Sequence, residues 1–373
     1  MIDTVTNLIL CFRTRCLLVG IFGLLASKGI AEQPAVIVVV GAGGTTEYEQ
    51  KFSEWAGRIV TTCKQAEIPH RVIGLDKSDS ANDRQLTLEA IGKARQGDQP
   101  LWLVFLGHGT SFKDTTKFNL RGPDFSTKDL ATVIKEIERP IISIVCASSS
   151  APFLKALTGP NRVVITATKS GSEQNYSRFG DFFSAAIADA SADLDHDDQV
   201  SALEAFLIAS KSVSRFYESE SRIATETALI EDNGDGLGTT SEFFDGVRIV
   251  AKAQNGKTDG SFAHQFVLVK NDRELLFSPE MLETRSQLEM QIDKLRSEKK
   301  LYSTDEYFAL LEPLMLQLAE LYSKVDESKP EAKGQGAKPV ATEKPAATEE
   351  EIKTTEGAED SVEEASSLSD SIE

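Results

Sequence analysis

Cysteine and histidine are scarce in this chain, with four of each among 373 residues. That supply is too small for a zinc-finger array or a disulfide-built scaffold. Basic residues are outnumbered as well: 40 Lys and Arg against 58 Asp and Glu leave a formal net charge of −18. Such an acidic balance argues against nonspecific binding to nucleic acid or to an anionic membrane surface. A dinucleotide fingerprint is also missing. The first apolar run ends Gly41-Ala-Gly-Gly44, where the third glycine falls too early and no acidic ribose partner is clearly placed. No organic cofactor is therefore expected. Core-forming material is not lacking, since 40% of the residues are hydrophobic, which excludes a wholly disordered chain. The length allows about two domains, or one large domain with appendages.

The two ends differ from the middle. Residues 1–31 read as a signal peptide for export to the periplasm or beyond the cell: Arg13 and Arg15 precede the apolar run from Cys16 to Ala26, and Gly29-Ile30-Ala31 offers a cleavage site. The run falls short of the ~20 residues that a comfortable membrane span needs, so no stable span remains if the signal is cleaved. An uncleaved signal would anchor the chain. Cleavage would leave Cys63 and Cys146 to form a disulfide or to supply a working thiol. At the other end, residues 326–373 carry 14 acidic and 5 basic side chains, hence −9, half the net charge of the chain. With few large apolar residues this segment reads as a disordered acidic tail. Before it, residues 276–325 read as a helical hairpin. Leu288, Ile292 and Leu295 share one face, and after a Ser303–Glu306 capping box so do Tyr307, Leu311, Leu314, Leu318 and Leu321, with a kink expected at Pro313. The hairpin packs either on the main domain or on its twin.

Residues 32–275 form the main domain. Apolar runs over Ala35–Val40, Arg71–Leu75, Leu101–Leu106, Ile141–Cys146 and Val163–Thr168 alternate with helical stretches over Tyr48–Ala66, Asp83–Gln96, Ser126–Glu138 and Phe153–Leu157. This alternation predicts an α/β fold with a mostly parallel central sheet covered on both faces. Ligands collect at the carboxyl ends of such strands. There the third run ends in Gly107-His108-Gly109 and the fourth in Cys146-Ala-Ser-Ser-Ser150. A thiol beside an imidazole is the minimum for nucleophilic acyl transfer, because the histidine stabilises the thiolate and then protonates the leaving amine. Flanking glycines leave the Gly109 amide free to point at a developing oxyanion.

Between Val36 and Arg178 the chain resembles the legumain-like and caspase-like cysteine peptidases. Val36-Ile-Val-Val-Val-Gly-Ala-Gly-Gly-Thr resembles the opening strand of legumains, Leu-Gly-His108-Gly109 the histidine loop, and Phe118-Asn-Leu-Arg-Gly-Pro-Asp the segment that follows it. Cys146-Ala-Ser-Ser-Ser resembles the nucleophile turn, and Asn161-Arg-Val-Val-Ile-Thr-Ala-Thr-Lys-Ser-Gly the strand and loop flooring the specificity pocket. The resemblance implies a caspase-like α/β/α sandwich that hydrolyses peptide bonds of a peptide or protein substrate. His108 would be the acid/base, Cys146 the nucleophile, and the amides of Gly109 and Cys146 the oxyanion hole. Glu173 and Arg178 are candidate pocket charges. Two features depart from the family. Glu49-Gln50 stands where legumains carry Arg-His, so a preference for asparagine does not carry over. Val145 precedes Cys146 where the family has a small residue; a slip of one residue would put Ala147 at the nucleophile position and bury Cys146. The chain would then be an inactive homologue, a calcium-stabilised binding or scaffolding module.

The calcium expectation rests on Asp193, Asp195, Asp197, Gln199, Ser201 and Glu204, which match EF-hand ligand spacing over residues 193–204. Asp198 occupies the position where such loops place a glycine. A second segment, residues 231–242, has weaker spacing through Glu231, Asn233, Asp235 and Glu242, with the glycine in place. His196 reads as solvent-facing, and His70 and His264 stand in no constellation.

Overall fold

The structure is a computed structural model that describes residues 35–76, 82–97, 99–250 and 258–327. The expected export signal lies outside the described residues, as does the expected tail beyond its first two positions.

The β-branched runs become the interior of one six-stranded sheet. Strands β1 (Val36–Val40), β2 (His70–Ile73), β3 (Leu101–Leu106), β7 (Ile141–Cys146), β8 (Arg162–Thr166) and β9 (Leu229–Glu231) lie in the order β2-β1-β3-β7-β8-β9. All neighbours are parallel except β8 and β9, which are antiparallel. β1, β3, β7 and β8 are buried along their whole length, as expected of strands covered on both faces. Their alternation sorts side chains into two cores. Val38, Val104, Ile144 and Ile165 meet α1 (Thr46–Gln65), α5 (Phe179–Ala186) and α6 (Ala202–Ser219). Val39, Phe105, Val145 and Val164 meet α2 (Asp83–Lys93), α3 (Thr127–Ile134) and α4 (Ala151–Leu157). The chain thus adopts the α/β/α sandwich its sequence predicts.

Three features of this region were not legible in advance. A small antiparallel sheet, β4 (Gly109–Phe112), β5 (Thr115–Phe118) and β6 (Phe125–Ser126), grows directly from the His108 loop. A two-residue ribbon of β10 (Phe244–Asp245) and β11 (Arg248–Ile249) follows the main sheet. The antiparallel strand β9 closes one edge of that sheet.

The hairpin forms as α7 (Pro279–Ser297) and α8 (Thr304–Glu327), so α8 runs two residues into the expected tail and continues through Pro313. Leu288, Ile292, Leu295, Tyr307, Leu321 and Val325 are buried along its seam. The ion pair of Arg285 with Glu274 (2.5 and 2.9 Å), largely shielded from solvent, ties α7 to the segment before it. Among the described residues no helix is long and apolar enough to cross a membrane.

After β9 the chain is held by two buried carboxylates. Asp232 accepts from the amides of Gly260 (2.9 Å) and Ala263 (2.7 Å), while Asp259 accepts from the Asp232 amide (3.1 Å) and the Thr239 hydroxyl. Burial, then mutual repulsion, raises Asp232 to about 7; burial raises Asp259 to about 6, with Glu231 and Asp235 adding to it. A carboxyl whose folded pKa lies above its unfolded value stabilises the protein in its protonated form, and that contribution is lost as pH rises through the folded pKa. The melting temperature should therefore fall between about pH 5 and pH 8, and Asp259→Asn should flatten that decline. An equal decline in both proteins, in melts followed by circular dichroism, would refute the assignment.

Candidate functional site

The chain runs from β1 outward to β2 and then returns to β3 on the other side of β1, which makes the carboxyl ends of β1 and β3 the topological switch point of the sheet. Gly41 and Gly107 meet there. The Gly41 amide donates to the Leu106 carbonyl (2.8 Å), and a methyl group on Gly107 would stand 3.1 Å from the Gly41 Cα. This close approach accounts for the glycines at both strand ends.

His108 leaves β3 into that crevice, and the crevice is filled with rings. Tyr48 and Phe52 of α1 meet the imidazole edge-on at centroid distances of 4.9 and 5.1 Å, and Tyr176, from the loop after β8, lies 6.2 Å away. Burial lowers the His108 pKa, against the opposing pull of a hydrogen bond to the Gly43 backbone. The imidazole is accordingly neutral at physiological pH. Lys51 sits over the rings of Tyr48 and Tyr176, and the Arg178 guanidinium stacks on Phe216 at 4.1 Å and reaches Tyr176 at 5.5 Å.

Cys146 ends β7 opposite Leu106, and its side chain takes the same face as Ile142 and Ile144. It is 1% exposed. Gly180 of α5 lies directly over it: a Cβ at Gly180 would come within 2.9 Å of the Cys146 Cβ. Burial pushes the thiol pKa far up, and the charge of the Glu226 carboxylate pushes it further. An activated thiolate needs the opposite surroundings, a cation and a partly open position. Among the described residues no hydrogen bond joins Cys146 to His108, and neither group shifts the other's titration. Cys63 is likewise buried and free, its thiol raised to about 11 by desolvation. The two cysteines form no disulfide.

The expected oxyanion amide is occupied from within. Gly109 N–H donates to Ser148 Oγ (3.2 Å), and Ser148 Oγ–H donates back to the Gly109 carbonyl (3.0 Å). Ser150 Oγ accepts from the Thr168 amide and contacts the Thr168 hydroxyl at 3.1 Å. Ser149 is buried with φ +54°, its amide donating to the Glu173 carbonyl (2.8 Å). All three serines are thus enclosed in the turn.

Of the candidate pocket charges, Glu173 receives the amides of Lys169 (2.9 Å) and Thr227 (3.4 Å), which makes it a brace between its own loop and the segment that leads into β9. Arg178 belongs to the aromatic cluster just described. The residue that sequence reasoning missed is Glu226. It is 4% exposed and gathers Ser177 Oγ (2.6 Å), the amides of Arg178 (2.9 Å) and Phe179 (3.2 Å) and the Tyr217 hydroxyl (3.2 Å). It satisfies orphan donors at the start of α5. Its sequence neighbours, Thr225 and Thr227, give no signal of this.

In the segment 193–204, Asp193, Asp195 and Asp197 converge so that one oxygen of each lies within 4.8 Å of the others. Asp193 accepts from the amides of His196 (2.6 Å), Asp197 (3.3 Å) and Asp198 (2.9 Å), and Asp198 takes φ +65°, the turn usually given to glycine. Ser201 and Glu204 form a capping box on α6, and Glu204 Oε1 also receives Leu194 N–H (2.7 Å). Gln199 Oε1 accepts from the Asn271 amide (3.1 Å), while its side-chain amide donates to Asp197 (3.3 Å). His264, expected to stand alone, pairs with Asp195 at 3.2 Å and lies within reach of Glu204. Burial pulls the His264 pKa down, but Asp195, Glu204 and Glu289 leave it raised. The hydrogen bond to His264 in turn lowers Asp195, whereas burial and the Asp195 charge raise Asp197.

The second loop does not gather. Among the described residues Glu231, Asp235 and Glu242 form no cluster. Glu231 instead accepts from the Gly234 amide (2.7 Å) and the Thr158 hydroxyl, Asn233 and Asp235 cap local turns, and Glu242 is exposed.

No family model matches the chain, and no curated protein sequence matches it. Solved structures do. Caspase-1 from Spodoptera frugiperda is similar at 10% identity and a TM-score of 0.37, over 54% of this chain and 87% of that one. The Drosophila initiator caspase Dronc is similar at 11% identity and a TM-score of 0.35, over 55% and 82%. At these values the likenesses assign neither family nor activity.

Gly109 offers a direct check on the turn. A Cβ there would lie 2.3 Å from the Ser148 carbonyl oxygen, which is backbone and cannot turn aside. Gly109→Ala should cost about 1–3 kcal/mol in urea denaturation. An unchanged midpoint would show that the two loops do not touch as described.

Proposed function

We propose that this chain is a non-hydrolysing binding module that keeps the architecture of a cysteine peptidase without its chemistry. The observation that carries this reading is the position of Cys146, sealed beneath α5 beside a carboxylate instead of open beside an imidazolium. A neutral His108 among aromatic rings retains hydrogen-bonding capacity but has no thiolate to serve. The half-exposed rings of Tyr48 and Tyr176, rimmed by Lys51 and Arg178, lie at the carboxyl ends of the strands, where α/β sheets bind their ligands. A peptide segment of a protein partner, lying across this aromatic surface, is the ligand we assign to it.

The test is a thiol-directed peptidyl electrophile applied to the folded, reduced protein, with intact mass as the readout. Cys146 should stay unlabelled in the native state and react fully in denaturant. Native labelling at Cys146 that disappears in His108→Ala would instead restore the peptidase reading.

Calcium belongs to the same proposal. Three converging aspartates, one of them raised by burial and then by its neighbour's charge, leave repulsion that a hard cation would relieve. Asp193, Asp195 and Asp197 would hold it, with Glu204 released from its capping box to complete the shell. Millimolar calcium should raise the melting temperature by several degrees, as mass action requires of any ligand that binds only the folded state. Asp195→Asn should abolish that rise. Equal melting curves with calcium and with chelator would remove the metal from the account.

A further inference from the structure

A cleft of about 410 Å³ opens between the last turn of α1, the chain leaving α5 and the segment 193–204. Tyr48, beside His108, lies near the start of α1, and Gln65, on the cleft, ends it. At ~1.5 Å per residue the two places lie roughly 25 Å apart along the helix. The volume is more than ten times the ~30 Å³ share of one water molecule and falls within the range of small-molecule sites. A bare ion would leave most of it unfilled.

The lining combines aliphatic surface with groups that accept hydrogen bonds. Ile187, Val200 and Val269 supply the aliphatic part. Asp193 and Asp198 supply two carboxylates, and among the described residues no lysine or arginine lines the cleft. Asp193 already receives three backbone amides, whereas the Asp198 carboxylate has no partner among the described residues. Thr62, buried in the wall, donates its hydroxyl to the Arg58 carbonyl (3.0 Å) and keeps only lone pairs to offer.

Two helix ends deepen the negative field. α1 closes with Ala66 as its C-cap and α5 with Ile187, and both caps line the cleft. A helix C-terminus carries about half a negative charge, on carbonyls that lack helical donors. For the Gln65 carbonyl, the residue four positions on is Pro69, which has no N–H to give.

We propose that this cleft binds a free aliphatic amine, with its ammonium group on Asp198 and Asp193 and its hydrocarbon body against Ile187, Val200 and Val269. An ammonium brings three donors and a positive charge to a surface of acceptors, and its methylene groups leave water for the aliphatic wall. An anionic ligand would meet only like charge. The site is separate from the aromatic surface at His108. It shares Asp193 with the proposed calcium loop, so it is tested in chelator, where the fate of the metal proposal has no bearing on the result.

Isothermal titration of the full chain with n-pentylamine, in ~0.15 M salt to screen diffuse acidic charge, should show one saturable site of about millimolar affinity. Asp198→Asn keeps the side-chain size and suits the φ of +65°; it should weaken binding about tenfold. Ala188→Trp, at an exposed position on the lining, should fill the cleft and abolish binding. Both variants should melt at the wild-type temperature. 1-Pentanol, which has the same hydrocarbon body and no charge, should bind at least tenfold more weakly than the amine. Absence of saturable binding to the wild type, undiminished binding in either variant, or pentanol binding as tightly as pentylamine would each overturn the proposal.

Discussion

A strand buried on both faces sends every side chain into one core or the other, and the choice at each position is fixed by the two-residue period of the backbone. In β7 that rule governs everything that follows. Ile142 and Ile144 point under α1, α5 and α6, so Cys146 must do the same; Val145 and Ala147 point to the opposite core. The pairing of Leu106 with Cys146 then aligns His108 with the serine turn and not with the thiol. Reach between nucleophile and base is thus decided by strand register before any property of the two side chains matters.

Around that register the strand ends are organised for close backbone contact. Gly41, Gly107 and Gly109 let three chain segments meet where larger residues could not fit, and Ser148 locks the last of them with a reciprocal pair of hydrogen bonds. The same features that present a loop to a substrate in an open site here bind the loop to its neighbour. Aromatic rings from α1 and from the loop after β8 complete the filling of the crevice, so the surface offers recognition by stacking and charge instead of a reactive group.

The sandwich was legible because its strands are short, β-branched and punctuated by glycine, and two of the five expected strands begin and end where the runs do, at Leu101–Leu106 and Ile141–Cys146. The antiparallel additions were not legible. β9 is three residues long, and β4–β6 carry the polar residues Thr110, Ser111, Thr115, Thr116 and Lys117, so neither has a hydrophobic period to read. At the site, the sequence brought attention to His108 and Cys146 and offered the one-residue slip as the alternative, but the face taken by the thiol depends on what covers the strand. Glu226 and the His264–Asp195 pair escaped notice for a related reason. Each is a long-range contact, 47 to 49 residues in one case and 69 residues in the other, and local spacing holds no record of either.

Glu226 also bears on covalent continuity. The chain from Glu218 to Ala224 is exposed throughout, with Ile223 at 89%, while Glu226 immediately beyond it is tied to Ser177, Arg178, Phe179 and Tyr217. Tyr217 lies before the exposed stretch and β9 after it, and both are anchored in the same interior. A protease that cuts this stretch would produce two polypeptides that share one folded body. A denaturing gel would separate the two pieces, whereas the folded body would stay assembled, because the sheet needs no peptide bond there.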